Sequence, residues 1–235
     1  MRQQLSELLR PTELADLIQP PDIIRGLERM VEDRSLLNMI FFGKPGLGKS
    51  SAAQILEKKL DADMYVINGS LWTGVSHVRE DLETYASTLS LTSDIKICLI
   101  DECEFLSINA QAALRGVIEK STHVRFLMTG NNISKLDLAI KSRCMAINFD
   151  VRQLEAEAAI QRLLPRYMDK LGRLGYDNID AKWLSDEMHV VFPDLRRFAN
   201  AIEFRHGAPD EEKVRLFQME QNRMVGKSGD GYKAA

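Results

Sequence analysis

Two short stretches hold residue types whose order can do chemistry: Phe41-Phe42-Gly43-Lys44-Pro45-Gly46-Leu47-Gly48-Lys49-Ser50-Ser51, and the acid pair Asp101-Glu102. Gly43 to Ser50 satisfies G-x-x-x-x-G-K-[ST], the pattern of a phosphate-binding loop. Glycines at 43, 46 and 48 let the backbone bend and turn its N–H groups against an anion, and a helix following the loop points its positive end at the same place. Lys49 then reaches the β- and γ-phosphates, and the Ser50 hydroxyl ligates Mg²⁺. Asp101 is placed to hold that metal, directly or through its waters, and Glu102 to orient and activate an attacking water. Each stretch also has a plainer reading, a glycine-rich turn with no ligand and two solvated acids at a strand end. Against the first stand the β-branched and aromatic residues before the loop and the helical spacing of Ala52, Ile55, Leu56 and Leu60 after it. Against the second stands the loop upstream.

These side chains need a scaffold that brings the loop and the acids together. Apolar runs at Leu36–Phe42, Met64–Ile67, Ile95–Ile100, Val124–Thr129 and Met145–Val151 predict strands, and Ala52–Leu60, Val75–Ala86 and Ile108–Lys120 predict helices between them. That alternation predicts an α/β fold, a parallel sheet covered by helices. Met64–Ile67 reads as a buried strand closed by the turn Asn68-Gly69-Ser70, and Ile95–Ile100, nearly all apolar, as a central one. In Met145–Val151 the larger side chains alternate, as on an edge strand. Ligands of such sheets bind beyond the carboxyl ends of the strands, where Asp101, Glu102 and Asn131 all fall. An amide at Asn131 can hydrogen-bond water and γ-phosphate, although asparagine also suits such turns for backbone reasons alone.

Ahead of the loop, residues 1–35 carry Arg10-Pro11-Thr12, Pro20-Pro21 and helical spacing at Ile23, Ile24, Leu27, Met30 and Val31. Packing on the core and holding a base are both open for this lead-in. Residues 152–207 lose the strand pattern and predict a small all-helical lid of three helices. Pro165 is expected to kink or divide the first of them, and Pro193 to begin the third. Arg196 and Arg197 near that third helix's start oppose its dipole, which an anionic partner relieves. Residues 208–235 predict an acidic-start helix over Pro209–Met224 and a flexible tail from Gly226. The expected organisation is thus an α/β domain over 1–151, a lid over 152–207, and a terminal helix with its tail.

A net charge of −3 gives no support for a chain that alone coats nucleic acid or a membrane surface. Cys98, Cys103 and Cys144 form no C-x-x-C pair and leave one over, so neither a zinc ribbon nor a disulfide framework is indicated. No uninterrupted apolar leader or span stands out, and the expectation is a soluble cytoplasmic protein.

Taken together, Gly43–Ser50 (Walker A), Leu99-Ile-Asp-Glu-Cys-Glu104 (Walker B), Gln111-Ala-Ala-Leu-Arg115 with Glu119, Asn131 before Ser134-Lys135, Ser142-Arg143-Cys144 and Pro193-Asp-Leu-Arg-Arg197 resemble the AAA+ ATPases. Within them they resemble clamp-loader subunits of replication factor C type. Asp63-Met64, Asn68-Gly-Ser70 and Phe192-Pro193-Asp194 are similar to the ATPase subunit of tailed-phage clamp loaders in particular. The resemblance runs from about Arg10 to about His206 and implies a P-loop AAA+ five-stranded parallel sheet followed by a helical lid, with ATP and Mg²⁺ as cofactors. It assigns Gly43 through Ser51 and Lys49 to phosphate, Ser50 and Asp101 to the metal, Glu102 to the water, and Asn131 to a sensor role. Arg143 becomes an arginine finger acting in trans, Arg196 a lid sensor, and Arg10-Pro11 neighbours of the base. Asn68 is assigned to restraining Glu102 until DNA arrives, although Leu71-Trp72-Thr73 lacks the basic residue that goes with such switching. Lys44 and Leu47 stand where the family usually has Pro and Thr, at positions where the backbone supplies the contact.

The implied function is an ATPase that, with other clamp-loader subunits in a pentameric ring or spiral, loads a sliding clamp onto primer–template DNA. The helical collar of clamp loaders has no counterpart here, since only 29 residues follow His206, which points to a fragment, a natural truncation, or assembly through partners. Two other readings remain at this stage: an AAA+ scaffold that binds nucleotide and hydrolyses little, and another AAA+ DNA-processing role such as a helicase loader.

Overall fold

The structure is a computed structural model describing residues 3–71, 75–90 and 93–229; side chains at 75–79, 81, 153–154 and 222–229 lie outside that description. Trp72 and Thr73, and the end of the expected tail, therefore fall outside it. The described residues form two compact units, one within 25–45 and 49–150, the other of residues 3–24 with 46–48 and 151–229.

The first of these holds an all-parallel sheet of β1 (Met39–Phe42), β2 (Asp63–Asn68), β3 (Lys96–Asp101), β4 (Val124–Gly130) and β5 (Met145–Asn148), in the order β2-β3-β4-β1-β5. Between the strands run α3 (Lys49–Leu60), α4 (Val75–Ser87), α5 (Ile108–Lys120) and α6 (Leu138–Lys141), and α2 (Pro21–Glu32) precedes β1. The core collects Ile40, Cys98, Ile100, Leu114, Phe126, Met128 and Ile140, all nearly inaccessible to solvent. β3 and β4 are buried almost throughout, which is why their sequences read as unbroken apolar runs. β5 is an edge strand, as its alternation predicts. The expectation for β2 is overturned, because it forms the opposite edge and buries only Ile67 while leaving Val66 half exposed. A short run of apolar residues does not distinguish a two-faced central strand from an edge strand leaning on one neighbour.

Polar side chains stitch this sheet at the amino ends of its strands. The Asn38 amide oxygen accepts from the Phe126 N–H at 2.9 Å, and Arg125 Nε donates to the Leu36 carbonyl at 2.8 Å. Tyr85 donates to the carbonyls of Asp63 and Ile97 at 2.7 and 3.1 Å. Lys96, buried at the start of β3, donates to the carbonyls of Tyr85 and Thr88 at 2.5 and 2.6 Å and so neutralises the carboxyl end of α4.

In the other unit, α7 (Gln153–Arg173), α8 (Ala181–Val191) and α9 (Leu195–His206) enclose Leu163, Tyr167, Leu171, Leu184, Met188, Phe198 and Ile202. Tyr167 meets Phe198 edge-on at 5.6 Å. α1 (Leu5–Leu8) joins this unit through its Leu5 N–H, which the Glu203 carboxylate accepts at 3.0 Å. Buried Asp16 takes Arg166 and Lys170 from α7 at 2.5 and 3.1 Å, and Arg162 donates to the carbonyls of Leu17 and Gln19. Pro165 does not divide α7, whose buried stripe runs past it on both sides. Nor does Pro193 begin α9. Asp194 caps it, accepting from the N–H groups of Arg196 and Arg197, so the helix starts at Leu195. α10 (Glu211–Gly229) runs past the predicted end at Met224 and packs on α7, with Arg173 paired to Glu220 and lying 5.0 Å over the Phe217 ring.

Candidate active site

The loop Gly43–Gly48 leaves β1 and enters α3 at Lys49. Gly43, Gly46 and Gly48 have φ of 138°, 79° and 83°, values that side-chain-bearing residues avoid, so the glycine spacing in the sequence is a set of backbone requirements. A Cβ at Gly43 would also meet Asp150 Oδ1 at 2.9 Å, and that same oxygen accepts the Lys44 N–H at 2.8 Å. Lys44 and Pro45 are exposed, whereas Leu47 is buried. Ser51 is buried behind it on α3.

Lys49 curls back over the loop. Its Nζ donates to the carbonyls of Gly43 and Lys44, both at 2.7 Å, and to Asn131 Oδ1 at 3.0 Å. Next along α3, Ser50 Oγ donates to Asp101 Oδ1 at 3.0 Å. The loop, the end of β3 and the turn after β4 are thereby joined, which is the convergence the topology predicts beyond the carboxyl ends of the strands. The Ser50–Asp101 spacing also fits a magnesium ion, since neighbouring oxygens of an octahedron with bonds of about 2.1 Å lie about 3 Å apart.

Two contributors were not singled out from sequence. Thr129, the next-to-last residue of β4 and buried, donates to Asp101 Oδ1 and accepts the Glu102 N–H at 3.3 Å. Glu104, buried on the turn after Glu102, accepts the Asn131 N–H at 2.9 Å. A polar residue in an apolar strand next to a strand-end acid is the signal that points to Thr129; Glu104 sits inside the Walker B run but carries no spacing signal of its own.

Glu102 is held in the left-handed region at φ 56°, ψ 43°, and its carboxylate has no partner among the described residues. Gly69 packs beneath it, donating its N–H to the Asp101 carbonyl at 2.7 Å, and a Cβ at 69 would meet the Glu102 carbonyl at 2.5 Å. Asn68 aligns with Asp101 across the strands, but its amide oxygen accepts from the Ser70 N–H and hydroxyl at 2.9 and 2.6 Å. The expected Asn68–Glu102 restraint is thus not what the structure pairs.

Arg143 lies at the surface after α6, its guanidinium bound to Glu119 on α5 and donating to the Ala139 carbonyl at 2.6 Å. Gln111 on the same α5 spans the Leu106 and Lys135 carbonyls and the Asp137 N–H, tying the acid-bearing turn to the segment that leads to Arg143. In the helical unit, Arg196 is exposed on the first turn of α9 with no side-chain partner among the described residues. Half-buried Arg10 pairs with Glu7 at 3.2 Å beside half-buried Pro11.

A parallel sheet with this loop, these strand-end acids and a following helical unit defines a class. Residues 39–151, just under half of the chain, match the family described as ATPases associated with various cellular activities (AAA). Over most of its own length the chain is also similar to replication factor C subunits. It is 31% identical to replication factor C subunit 3 of Schizosaccharomyces pombe over 88% of its own length and 61% of that protein's. It is 36% identical to probable replication factor C subunit 5 of Dictyostelium discoideum, covering 84% of this chain and 57% of that one. With the replication factor C small subunit of Sulfurisphaera tokodaii it shares 30% identity over 84% of this chain and 61% of the relative. The chain therefore spans under two thirds of the length of these relatives. The fold alone is also similar to a solved structure of the Holliday junction branch migration motor RuvB of Thermotoga maritima, with a TM-score of 0.61 at 17% identity, covering 90% of this chain and 72% of that one.

Proposed function

We propose that this chain binds ATP with Mg²⁺ at the carboxyl end of its sheet and hydrolyses it, as the ATPase subunit of a clamp loader that places a sliding clamp on primer–template DNA. The observation carrying this reading is the junction of Lys49 with Asn131 and of Ser50 with Asp101, one helical turn reaching the ends of two neighbouring strands. In this reading the N–H groups of Gly43 to Ser51 and the Lys49 ammonium take the β- and γ-phosphates. Ser50 and Asp101 hold the magnesium, whose charge, when bound, offsets the charge developing on the phosphates. Glu102 orients the attacking water, and Asn131 faces the γ-phosphate. Arg143 acts on the nucleotide of an adjoining subunit, Arg196 contributes from the lid, and Arg10 and Pro11 adjoin the base. Asp194, capping α9, sets where Arg196 leaves that helix. The similarity to replication factor C subunits supports assembly with other subunits and with a clamp.

The experiment measures turnover of the full chain with its partner subunits, with and without clamp and primer–template DNA. Strong stimulation by both is expected. Equal rates with and without them would remove the loader role. One observation favours a second reading, a nucleotide-holding scaffold: Arg143 is already satisfied within its own chain by Glu119 and Ala139. Nucleotide binding that organises the assembly, with slow hydrolysis under every condition, is what that reading demands.

A further inference from the structure

Glu104 is an acid that the reading above leaves without a task. It lies on the 3-10 turn Cys103–Phe105, directly after the left-handed Glu102, and is 7% exposed. One carboxylate oxygen accepts the Asn131 N–H at 2.9 Å, and the other is buried with no hydrogen-bond partner among the described residues. A half-paired buried carboxylate is a net cost to folding, so its presence asks for another reason. Position 130 makes room for it. A Cβ on Gly130 would meet Glu104 Oε2 at 2.7 Å and Cys103 Sγ at 3.1 Å. Gly130 has no positive φ, so what this glycine supplies is the missing side chain. The same Asn131 whose main chain Glu104 holds has its side chain on Lys49 Nζ at 3.0 Å. Together with the Glu102 N–H on Thr129, the turn bearing the acids is tied twice to the strand end bearing the amide.

We propose that Glu104 is a positioning residue that fixes Asn131 at the height of the γ-phosphate, so that the site distinguishes triphosphate from diphosphate. This rests on the site being the ATP site proposed above. The γ-phosphate is what separates the two ligands, so a residue acting through Asn131 changes the ratio of their affinities and leaves diphosphate affinity where it was. A role in folding alone would move both affinities together.

The test is titration calorimetry of the full chain with ADP and with a non-hydrolysable ATP analogue, in the presence of Mg²⁺, for wild type, Glu104→Gln, Glu104→Ala and Gly130→Ala, with a melting temperature for each. In Glu104→Ala and Gly130→Ala the analogue is expected to bind about tenfold more weakly while ADP stays within about twofold, the size of one lost hydrogen bond to a charged group. Glu104→Gln, which keeps an oxygen for the Asn131 N–H, is expected to recover most of the ratio. Wild-type ratios in Glu104→Ala and Gly130→Ala, or proportional loss of both ligands, would overturn the proposal; if Glu104→Ala fails to fold, Gly130→Ala decides it. Wild-type protein that binds both ligands equally overturns this inference alone, and wild-type protein that binds neither overturns the site reading with it.

Discussion

The guanidinium of Arg143 is clasped by the carboxylate of Glu119 on the preceding long helix, and both side chains stay at the surface, 35% and 46% exposed. An arginine held this way has its rotamers restricted at the surface, and a trans role demands that it leave Glu119 to meet a second molecule. Exposed pairs contribute at most about 1 kcal/mol, so the clasp reads as placement more than stability.

Arg143→Ala is therefore expected to leave the melting temperature and nucleotide affinity of the isolated chain unchanged and to cut hydrolysis in the assembled complex by about 10³. Steady-state turnover of that complex checks it; an unchanged rate removes the trans role.

Lys49→Ala is expected to weaken binding of an ATP analogue by about 10- to 100-fold, the range for losing a charge-assisted hydrogen bond. Ser50→Ala and Asp101→Asn are expected to leave magnesium-free binding intact and to abolish its enhancement by the ion. Calorimetry with and without Mg²⁺ reads both effects.

Glu102 occupies the left-handed region at φ 56°, which costs a non-glycine residue about 1 kcal/mol. Glu102→Gly should then abolish hydrolysis while unfolding at equal or slightly higher denaturant. Gly69→Ala should do the reverse to stability, because its Cβ would meet the Glu102 carbonyl at 2.5 Å and backbone cannot give way cheaply. Urea titrations of the two variants, with opposite signs expected, test the strain directly.

Burial pushes the Asp16 carboxyl up, but Lys170 and Arg166 together outweigh it and hold the group below its ordinary value. A carboxylate with a lowered folded-state pKa contributes stability that is complete above its unfolded value of about 3.9 and is lost as pH falls through the lower folded value. Asp16→Asn should accordingly be destabilised by about 1–3 kcal/mol at neutral pH, as when charged donors lose a buried acceptor. Its deficit should shrink as pH falls below about 3.9. Denaturation midpoints from pH 7 downward follow this.

Legibility in the sequence tracked how local the physics was. The three loop glycines, Lys49 and Ser50 act through their own backbone and neighbours, and the five strands announced themselves by burial on one or both faces. Glu104, Thr129 and the edge position of β2 depend on which strand lies beside which, information that is spread over the chain and not held in any window of it. Pro193 misled because a proline before a helix suits the first turn, whereas the Asp194 carboxylate offered the two free N–H groups a better acceptor and moved the start on.

Asn38, Arg125, Tyr85 and Lys96 all fasten the sheet at the ends of strands away from the loop. Like a fan pinned at its handle, the sheet is stiff where nothing reacts. In the proposed reading, a change in the seating of the nucleotide is then met at the opposite rim, by the turns carrying Glu102, Glu104 and Asn131, and leverage falls on the residues that must register it.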